Sequence, residues 1–92
     1  MTVALHRHFI ERVQKQPSVI RAAVFETILA LPDAFRQPGQ HAGLGLRKLH
    51  PSGVWEVRIG LELRVLIQMA PDTAIFRFLG SHDQVRKYLK NL

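Results

Sequence analysis

The sequence contains no cysteine among its 92 residues. It therefore cannot form disulfides, use a thiolate nucleophile, or bind zinc or an iron–sulfur cluster through cysteine. Nothing in it requires an oxidising compartment, which favours a cytoplasmic location. The segment from Met1 to Ile10 lacks the apolar core of a signal peptide, and no apolar run has the length that spans a bilayer. We therefore expect no membrane partner.

Motifs for metals and nucleotides are also missing. His6 and His8 do not recur with carboxylates at ligand-like helical spacing, so we expect no metal site. Gly43 and Gly45 precede a predicted strand and not a helix, unlike the glycines of an ATP-binding phosphate loop. We expect the protein to use no cofactor.

Acidic residues are few in comparison with basic ones. Lys and Arg number 13 against 7 Asp and Glu, a formal net charge of +6, while hydrophobic residues make up 47% of the chain. This balance predicts one folded domain over residues 1–92 that binds an anionic partner. Nucleic acid, an acidic protein and an anionic membrane surface all fit the charge. A chain this short also has a small stability margin, so a partner that binds the folded state would matter.

Hydrophobic spacing predicts an α+β fold. The predicted elements are a strand at residues 2–5, a helix ending before Pro17, a second helix from its N-cap Ser18 to just before Pro32, a loop over 32–45, strands around residues 54–59, 63–67 and 75–79, and a helix over 83–92. In this β-α-α-β-β-β-α order, the helical hairpin packs on one face of a small, mostly antiparallel sheet. We expect the opposite face to be free for function.

Residues 54–68 predict a hairpin with charge on one face. Alternation places Trp55 with the core-facing residues of the first strand, whereas Glu56 and Arg58 point to the other side. A three-residue turn at 60–62 keeps the apolar residues of both strands together, and it sets Arg58 opposite Arg64.

Two arginines in this arrangement have Cβ atoms about 4.5 to 5.5 Å apart, which is unfavourable unless an anion lies between them. Arg58 and Arg64 are therefore predicted to bind phosphate, which guanidinium groups recognise through paired hydrogen bonds. The alternative is a solvated salt-bridge face in which Glu56 neutralises part of the charge. Both interpretations are open from the sequence.

Further candidates flank the hairpin. Arg47, Lys48 and His50 lead into it, and His82 follows the last strand. Histidine exchanges protons near neutral pH, so His50 and His82 are the acid/base candidates. The alternative for each is an ordinary surface or capping histidine, and His6, His8 and His41 keep that interpretation.

The pattern from residue 46 to 83 resembles the RelE/ParE superfamily of bacterial toxins, chiefly the RelE-like mRNA interferases. The resemblance is carried by Leu46-Arg47-Lys48-Leu49-His50, Gly53-Val54-Trp55-Glu56-Val57-Arg58, Leu63-Arg64-Val65-Leu66 and Gly80-Ser81-His82-Asp83. It implies a type II toxin that cleaves messenger RNA in the A site of the small ribosomal subunit. The implied reaction is attack of a ribose 2′-hydroxyl on the adjacent phosphate, without a metal, and a cognate antitoxin neutralises the toxin.

The resemblance also implies roles for individual residues. Arg58 and Arg64 match the phosphate-binding strand arginines, Lys48 matches the basic lead-in, and His82 matches the late acid/base position. His50 and Glu56 are our candidates for the general base. The remaining predicted RNA-binding residues are Arg47 and, on the last helix, Arg86 and Lys87.

Two other functions stay open. Some relatives carry a glutamate just before the lead-in, whereas residues 43–46 contain none, and many carry a tyrosine where this chain has Arg86. Tyr88 lies two positions further and on a helix points elsewhere. The alternatives are therefore a ParE-like inhibitor of DNA gyrase that is not a nuclease, and a toxin fold that has lost catalysis and only binds. The sequence also leaves open a homodimer or a hetero-oligomer with the antitoxin.

Overall fold

The computed structural model describes residues 1–36, 45–50 and 52–91, apart from the side chains of Phe35 and His50. Its elements are β1 (Thr2–Leu5), α1 (Arg7–Gln14), α2 (Ser18–Arg36), β2 (Arg47–His50), β3 (Val54–Ile59), β4 (Leu63–Ala70), β5 (Thr73–Ser81) and α3 (His82–Lys90). The α+β class and the helical hairpin beside a small sheet are confirmed. One strand, β2, was not predicted.

Within the described residues, five strands form a sheet in the order β1-β5-β4-β3-β2. The pairings are antiparallel except for β1 with β5, which run parallel. The β3–β4 pair has the predicted register, with Val57 opposite Val65 and Arg58 opposite Arg64. A slip of one residue would turn the apolar side chains out of the core, so burial dictates this register.

The main core lies between the sheet and the α1–α2 hairpin. Val57 and Val65 face it from the central strands and have no exposed surface. Phe9 of α1 and Leu31 of α2 pack against the same cluster, and the Phe9 ring centroid lies 5.4 Å from that of Phe76. The alternation along β3 and β4 therefore selects the side of the sheet on which the helical hairpin packs.

α3 packs on the opposite face of the sheet, which was predicted to be free for function. Val54, Leu66 and Val85 form a second buried cluster there. Tyr88 stacks on Phe78 beside this cluster, with ring centroids 4.5 Å apart. Leu66 stands among polar residues on its face, and this apolar position is what α3 covers. The uncovered part of the face is consequently the end of the hairpin near its turn.

A close contact fixes the start of α3 directly after β5. A Cβ atom at Gly80 would lie 2.8 Å from both Gln84 Oε1 and Phe78 Cε2, so glycine allows the helix to approach the strand. Arg12 of α1 reaches the same place, donating from Nε to the carbonyl of Leu79 and from Nη2 to Gln84 Oε1 at 2.9 Å. α1, β5 and the first turn of α3 are thus joined.

α2 is longer than predicted, because it continues through Pro32 to Arg36. An internal proline lacks the N–H for one helical hydrogen bond and costs about 3 kcal/mol. Leu31 and Ala34, on either side, are 0% and 1% exposed. Packing of this turn against the core stabilises the helix past the proline. Residues 37–44, which include His41, lie outside the described residues.

Candidate functional site

The β3–β4 hairpin carries three charged side chains on the face away from the main core. Glu56 and Arg58 lie two residues apart on β3 and share this face, and Arg64 stands directly opposite Arg58 on β4. Arg47 of β2 pairs with Glu56 from the other side. Three adjacent strands therefore place three arginines around one glutamate.

Glu56 is nearly buried, with 7% of its side chain exposed. Its Oε1 accepts from Arg64 Nε at 2.5 Å, and its Oε2 accepts from Arg47 Nη2 at 3.2 Å. Each carboxylate oxygen is therefore bound to a different guanidinium, through charge-assisted contacts. Glu56 is thus a counter-ion for two arginines in this structure, and its role as a general base stays a prediction.

Arg64 points away from the main core as predicted, but only 13% of its side chain is exposed. Besides its contact with Glu56, its Nη1 donates to the carbonyl of Leu63 at 3.4 Å. The salt-bridge alternative therefore applies to Arg64. A buried pair of this kind is costly to break from one side, because the remaining charge loses its partner without regaining water.

Arg58 differs from Arg64 although the two face each other across the hairpin. Its side chain is exposed, and among the residues that the structure describes it has no ion pair or hydrogen bond. A Cβ atom at Gly45 would lie 3.4 Å from Arg58 Cβ, so the chain that enters β2 passes beside the base of this side chain. Within the part of the chain that the structure describes, no partner keeps the Arg58 guanidinium from an external anion.

His82 is the first residue of α3 and follows β5 without a linker. Gly80 is the cross-strand partner of Arg64, so His82 begins close to that end of the hairpin. A capping box fixes the helix start: Ser81 Oγ accepts from the Gln84 N–H at 3.2 Å, and Gln84 Oε1 accepts from the Ser81 N–H at 2.8 Å. This box was not predicted, although the Ser-x-x-Gln spacing of residues 81–84 signals it.

These side chains line an open cavity of about 510 Å³, which we call the cationic pocket. Its lining residues are Gly45, Leu46, Arg47, Glu56, Arg58, Arg64 and His82. Three guanidiniums and one carboxylate leave an excess of two positive charges, before any charge on His82. Such a surface suits an anion with several oxygen acceptors, as in a phosphodiester.

Solved structures that are similar to this chain include toxins and toxin–antitoxin complexes. A mutant of the E. coli toxin RelE in the free state matches with a TM-score of 0.70 and 12% identity, over 99% of this chain and 96% of that chain. An archaeal RelE–RelB complex from Pyrococcus horikoshii matches with a TM-score of 0.68 and 16% identity, over 87% and 92%. The RelBE2 complex from Mycobacterium tuberculosis matches with a TM-score of 0.64 and 22% identity, over 88% and 96%.

The chain has the RelE/ParE toxin fold. The resemblance seen in residues 46–83 is therefore confirmed at the level of the fold. The sequence itself matches no protein-family model and no curated protein.

Three other predicted RNA-binding residues of the chain, Lys48, Arg86 and Lys87, lie outside the cationic pocket. Lys48 pairs with Trp55, a residue partly buried against the main core as predicted, and its Nζ lies 5.8 Å from the centroid of that ring. Lys48 therefore belongs to the opposite face of the sheet. Arg86 and Lys87 are exposed on α3, where a separate shallow depression of about 260 Å³ is lined by Asp83, Arg86, Lys87 and Lys90.

Two other histidines of this chain, His50 and His6, belong to β2 and to the N-cap of α1. His50 ends β2, where its backbone pairs with Val54, but its side chain lies outside the described residues and its acid/base role stays a prediction. His6 is a capping residue, because its Nδ1 accepts from the His8 N–H at 3.1 Å at the start of α1. Partial burial, and secondly the positive charge of Arg77, lower the pKa of His6 from its ordinary value of 6.5.

Metal ligands and membrane spans are not found in the part of the chain that the structure describes. No three histidine, aspartate or glutamate side chains are grouped there so as to hold a metal ion. No helix there is both long enough and apolar enough to cross a membrane. A mostly apolar depression of about 210 Å³ lies between α1 and α2 and is lined in part by Phe9, Val24, Phe25 and Ile28.

Proposed function

We propose that the protein is a type II toxin that cleaves messenger RNA in the ribosomal A site, in the cytoplasm, and that a cognate antitoxin neutralises it. The cationic pocket is the observation that carries this proposal, because it combines an exposed arginine, Arg58, with a histidine on the fold of RelE toxins. A fold hosts several functions, so the chemistry of the pocket has to support the choice.

The proposed reaction is a transesterification that needs no metal. A base removes the proton of a ribose 2′-hydroxyl, and the 2′-oxygen forms a bond to the adjacent phosphorus. The bond from phosphorus to the 5′-oxygen breaks, and an acid protonates that oxygen. The products are a 2′,3′-cyclic phosphate and a 5′-hydroxyl end. Cations that contact the phosphate oxygens stabilise the charge that grows on them in the transition state.

The pocket residues divide these tasks according to their exposure. Arg58 binds the phosphate first, because its guanidinium is exposed and unpaired among the described residues. Arg47 is a second cation, with 68% of its side chain exposed. Arg64 contributes its charge from the wall of the pocket. His82, exposed at the pocket, transfers the proton, and His50 is the candidate for the opposite proton transfer.

The outlying basic residues are proposed to contact other phosphates of the RNA. Arg86 and Lys87 are exposed on the helix whose first residue, His82, lines the pocket. They therefore bind phosphates on the α3 side of the cleavage site. Lys48, on the opposite face, contacts a different part of the RNA. Such contacts add affinity and orientation without reading the base sequence.

An antitoxin partner is proposed from the comparisons and from charge. The matches from M. tuberculosis and P. horikoshii are toxin–antitoxin complexes. A net charge of +6 favours a partner with acidic segments, which would cover the cationic pocket. The depression between α1 and α2, whose lining is mostly apolar, gives the same partner a surface to pack against.

The proposal is tested by adding the protein to a translating bacterial extract and mapping the 5′ ends of the messages. We expect new 5′-hydroxyl ends within translated regions. His82→Gln and Arg58→Ala should each reduce cleavage by about 100-fold or more, because each removes a group that acts in the transition state. Arg7→Ala is the matched control, since Arg7 is exposed on α1, and it should cleave as wild type does.

If translation in the extract stops while the messages stay intact, the proposed messenger RNA cleavage is contradicted. Inhibition of gyrase supercoiling by the same preparation would then support the ParE-like alternative. Absence of both effects would leave a module that only binds.

A further inference from the structure

We propose that Glu56 is a built-in competitor for the RNA phosphate, which holds two arginines of the cationic pocket in the free protein and yields one of them, Arg47, to the RNA. Arg64 stays on the carboxylate throughout. This inference rests on the proposed function and names the device that sets the affinity of the same site.

The two ion pairs of Glu56 are not equivalent. Arg64 lies 2.5 Å from the carboxylate, and 13% of the Arg64 side chain is exposed. Arg47 lies 3.2 Å from the carboxylate, and 68% of the Arg47 side chain is exposed. Water screens an exposed pair, so it is exchanged at little cost. The sheltered pair is hard to separate because both charges lose solvent. An incoming anion should therefore take Arg47 and leave Arg64.

The Glu56 carboxylate resembles the phosphate that we expect in this pocket. Both present two oxygens to guanidinium donors, and Arg47 can satisfy one or the other. A phosphate bound by Arg58 and Arg47 would lie beside the negative charge of Glu56, because Glu56 is the cross-strand partner of Arg47 and shares a face with Arg58. Repulsion between the two anions lowers the affinity for RNA.

The same carboxylate is needed when RNA is absent. Arg58 and Arg64 are direct cross-strand neighbours, and like charges in such positions destabilise a sheet. Glu56 supplies the compensating anion in the free protein. It therefore stabilises the fold and weakens RNA binding at once, a common conflict between stability and activity at functional sites.

The experiment compares wild type with Glu56→Gln, which keeps a hydrogen-bond acceptor for Arg64 and removes the charge. The probe is a fluorescein-labelled single-stranded RNA octamer, and its anisotropy gives the dissociation constant at fixed salt. We expect Glu56→Gln to bind about threefold to tenfold more tightly. Glu26→Gln is the control, because Glu26 is exposed on α2, and it should change the affinity by less than about twofold.

The outcomes separate this inference from the proposed function. If wild type binds the octamer and Glu56→Gln binds it no more tightly, the competitor role of Glu56 is overturned and the proposed RNA site is not. Failure of both proteins to bind the octamer overturns the competitor role together with the proposed RNA site.

A second measurement does not depend on the folding of a variant. Inorganic phosphate is titrated into the wild-type protein, and the side-chain Nε–H signals of the arginines are followed by NMR. The signals of Arg47 and Arg58 should move with the added phosphate, while that of Arg64 keeps its position. Equal movement of the Arg47 and Arg64 signals, or movement of neither, overturns the exchange.

Discussion

Arg58 and Arg64 face each other across one hairpin, yet their substitution should have different effects on stability. Arg64→Ala leaves the nearly buried Glu56 with a single ion-pair partner among the described residues, the exposed Arg47. We expect the free energy of unfolding to fall by about 1 to 3 kcal/mol. Arg58→Ala removes an exposed side chain that has no ion pair with any described residue, and it should change this free energy by less than about 0.5 kcal/mol. Urea unfolding followed by the fluorescence of Trp55 measures both values.

Equal losses in the two variants would contradict the different burial of these arginines. The comparison also decides how activity data are interpreted. A loss of cleavage in Arg58→Ala reports on phosphate binding, whereas in Arg64→Ala it also contains the weakened fold.

His6 should make stability depend on pH. Its pKa is lowered in the folded protein, first by partial burial and then by Arg77. The folded state thus favours neutral His6, so this contribution to stability is complete above pH 6.5 and is lost as the pH falls through the lowered folded-state pKa. His6→Asn keeps an N-cap that does not titrate. Between about pH 8 and pH 5, wild type should lose more unfolding free energy than the variant, and equal losses would exclude this role.

Which charged residues point away from the main core was predictable from alternation alone. Val57 and Val65 require one face, so Glu56, Arg58 and Arg64 must take the other. The capture of Arg64 by Glu56 was not predictable. The two are not direct cross-strand partners, because Glu56 pairs with Leu66. Their contact depends on side-chain conformations and on burial, which a period of two does not encode.

The helix α3 connects the stability of one element to the candidate chemistry. Ser81→Ala removes half of the capping box at its start, and we expect it to lower the free energy of unfolding by about 1 kcal/mol. It should also reduce cleavage, because His82 is in the first turn and this turn will fray. Ser81→Asp keeps a capping side chain and should restore both properties. Full cleavage by a destabilised Ser81→Ala protein would show that His82 acts without an ordered first turn.

The elements that the sequence predicted least well are those in which tertiary packing overrides local pattern. β2 was missed because Arg47–His50 contains a single apolar residue, Leu49, and forms an edge strand without alternation. The length of α2 was wrong because burial of Leu31 and Ala34 outweighs the effect of Pro32. The β3–β4 hairpin was predicted with its register, because its turn length and both apolar faces agree.

The distribution of charge over the whole molecule predicts how RNA binding responds to salt. If Arg47, Lys48, Arg58, Arg86 and Lys87 each contact one phosphate, the logarithm of the association constant should fall against the logarithm of salt concentration with a slope of about −3.5. Lys87→Gln should reduce this slope by about 0.7. Lys15→Gln, at the C-cap of α1, should leave it unchanged. Anisotropy titrations in increasing potassium chloride measure the slope, and a value near zero would argue against phosphate contacts.

The parallel pairing of β1 with β5 joins residues that are far apart in the chain, since Thr2 lies beside Thr73. The groups on β3 and β4, in contrast, are brought together by a turn of only three residues. Short loops close faster than long ones, because less chain entropy is lost before contacts form. We therefore expect the β3–β4 hairpin to assemble early during folding and the N-terminal strand β1 to dock last. In the native protein, backbone amides of Thr2–Leu5 should then exchange with solvent first, and those of β4 only on global unfolding.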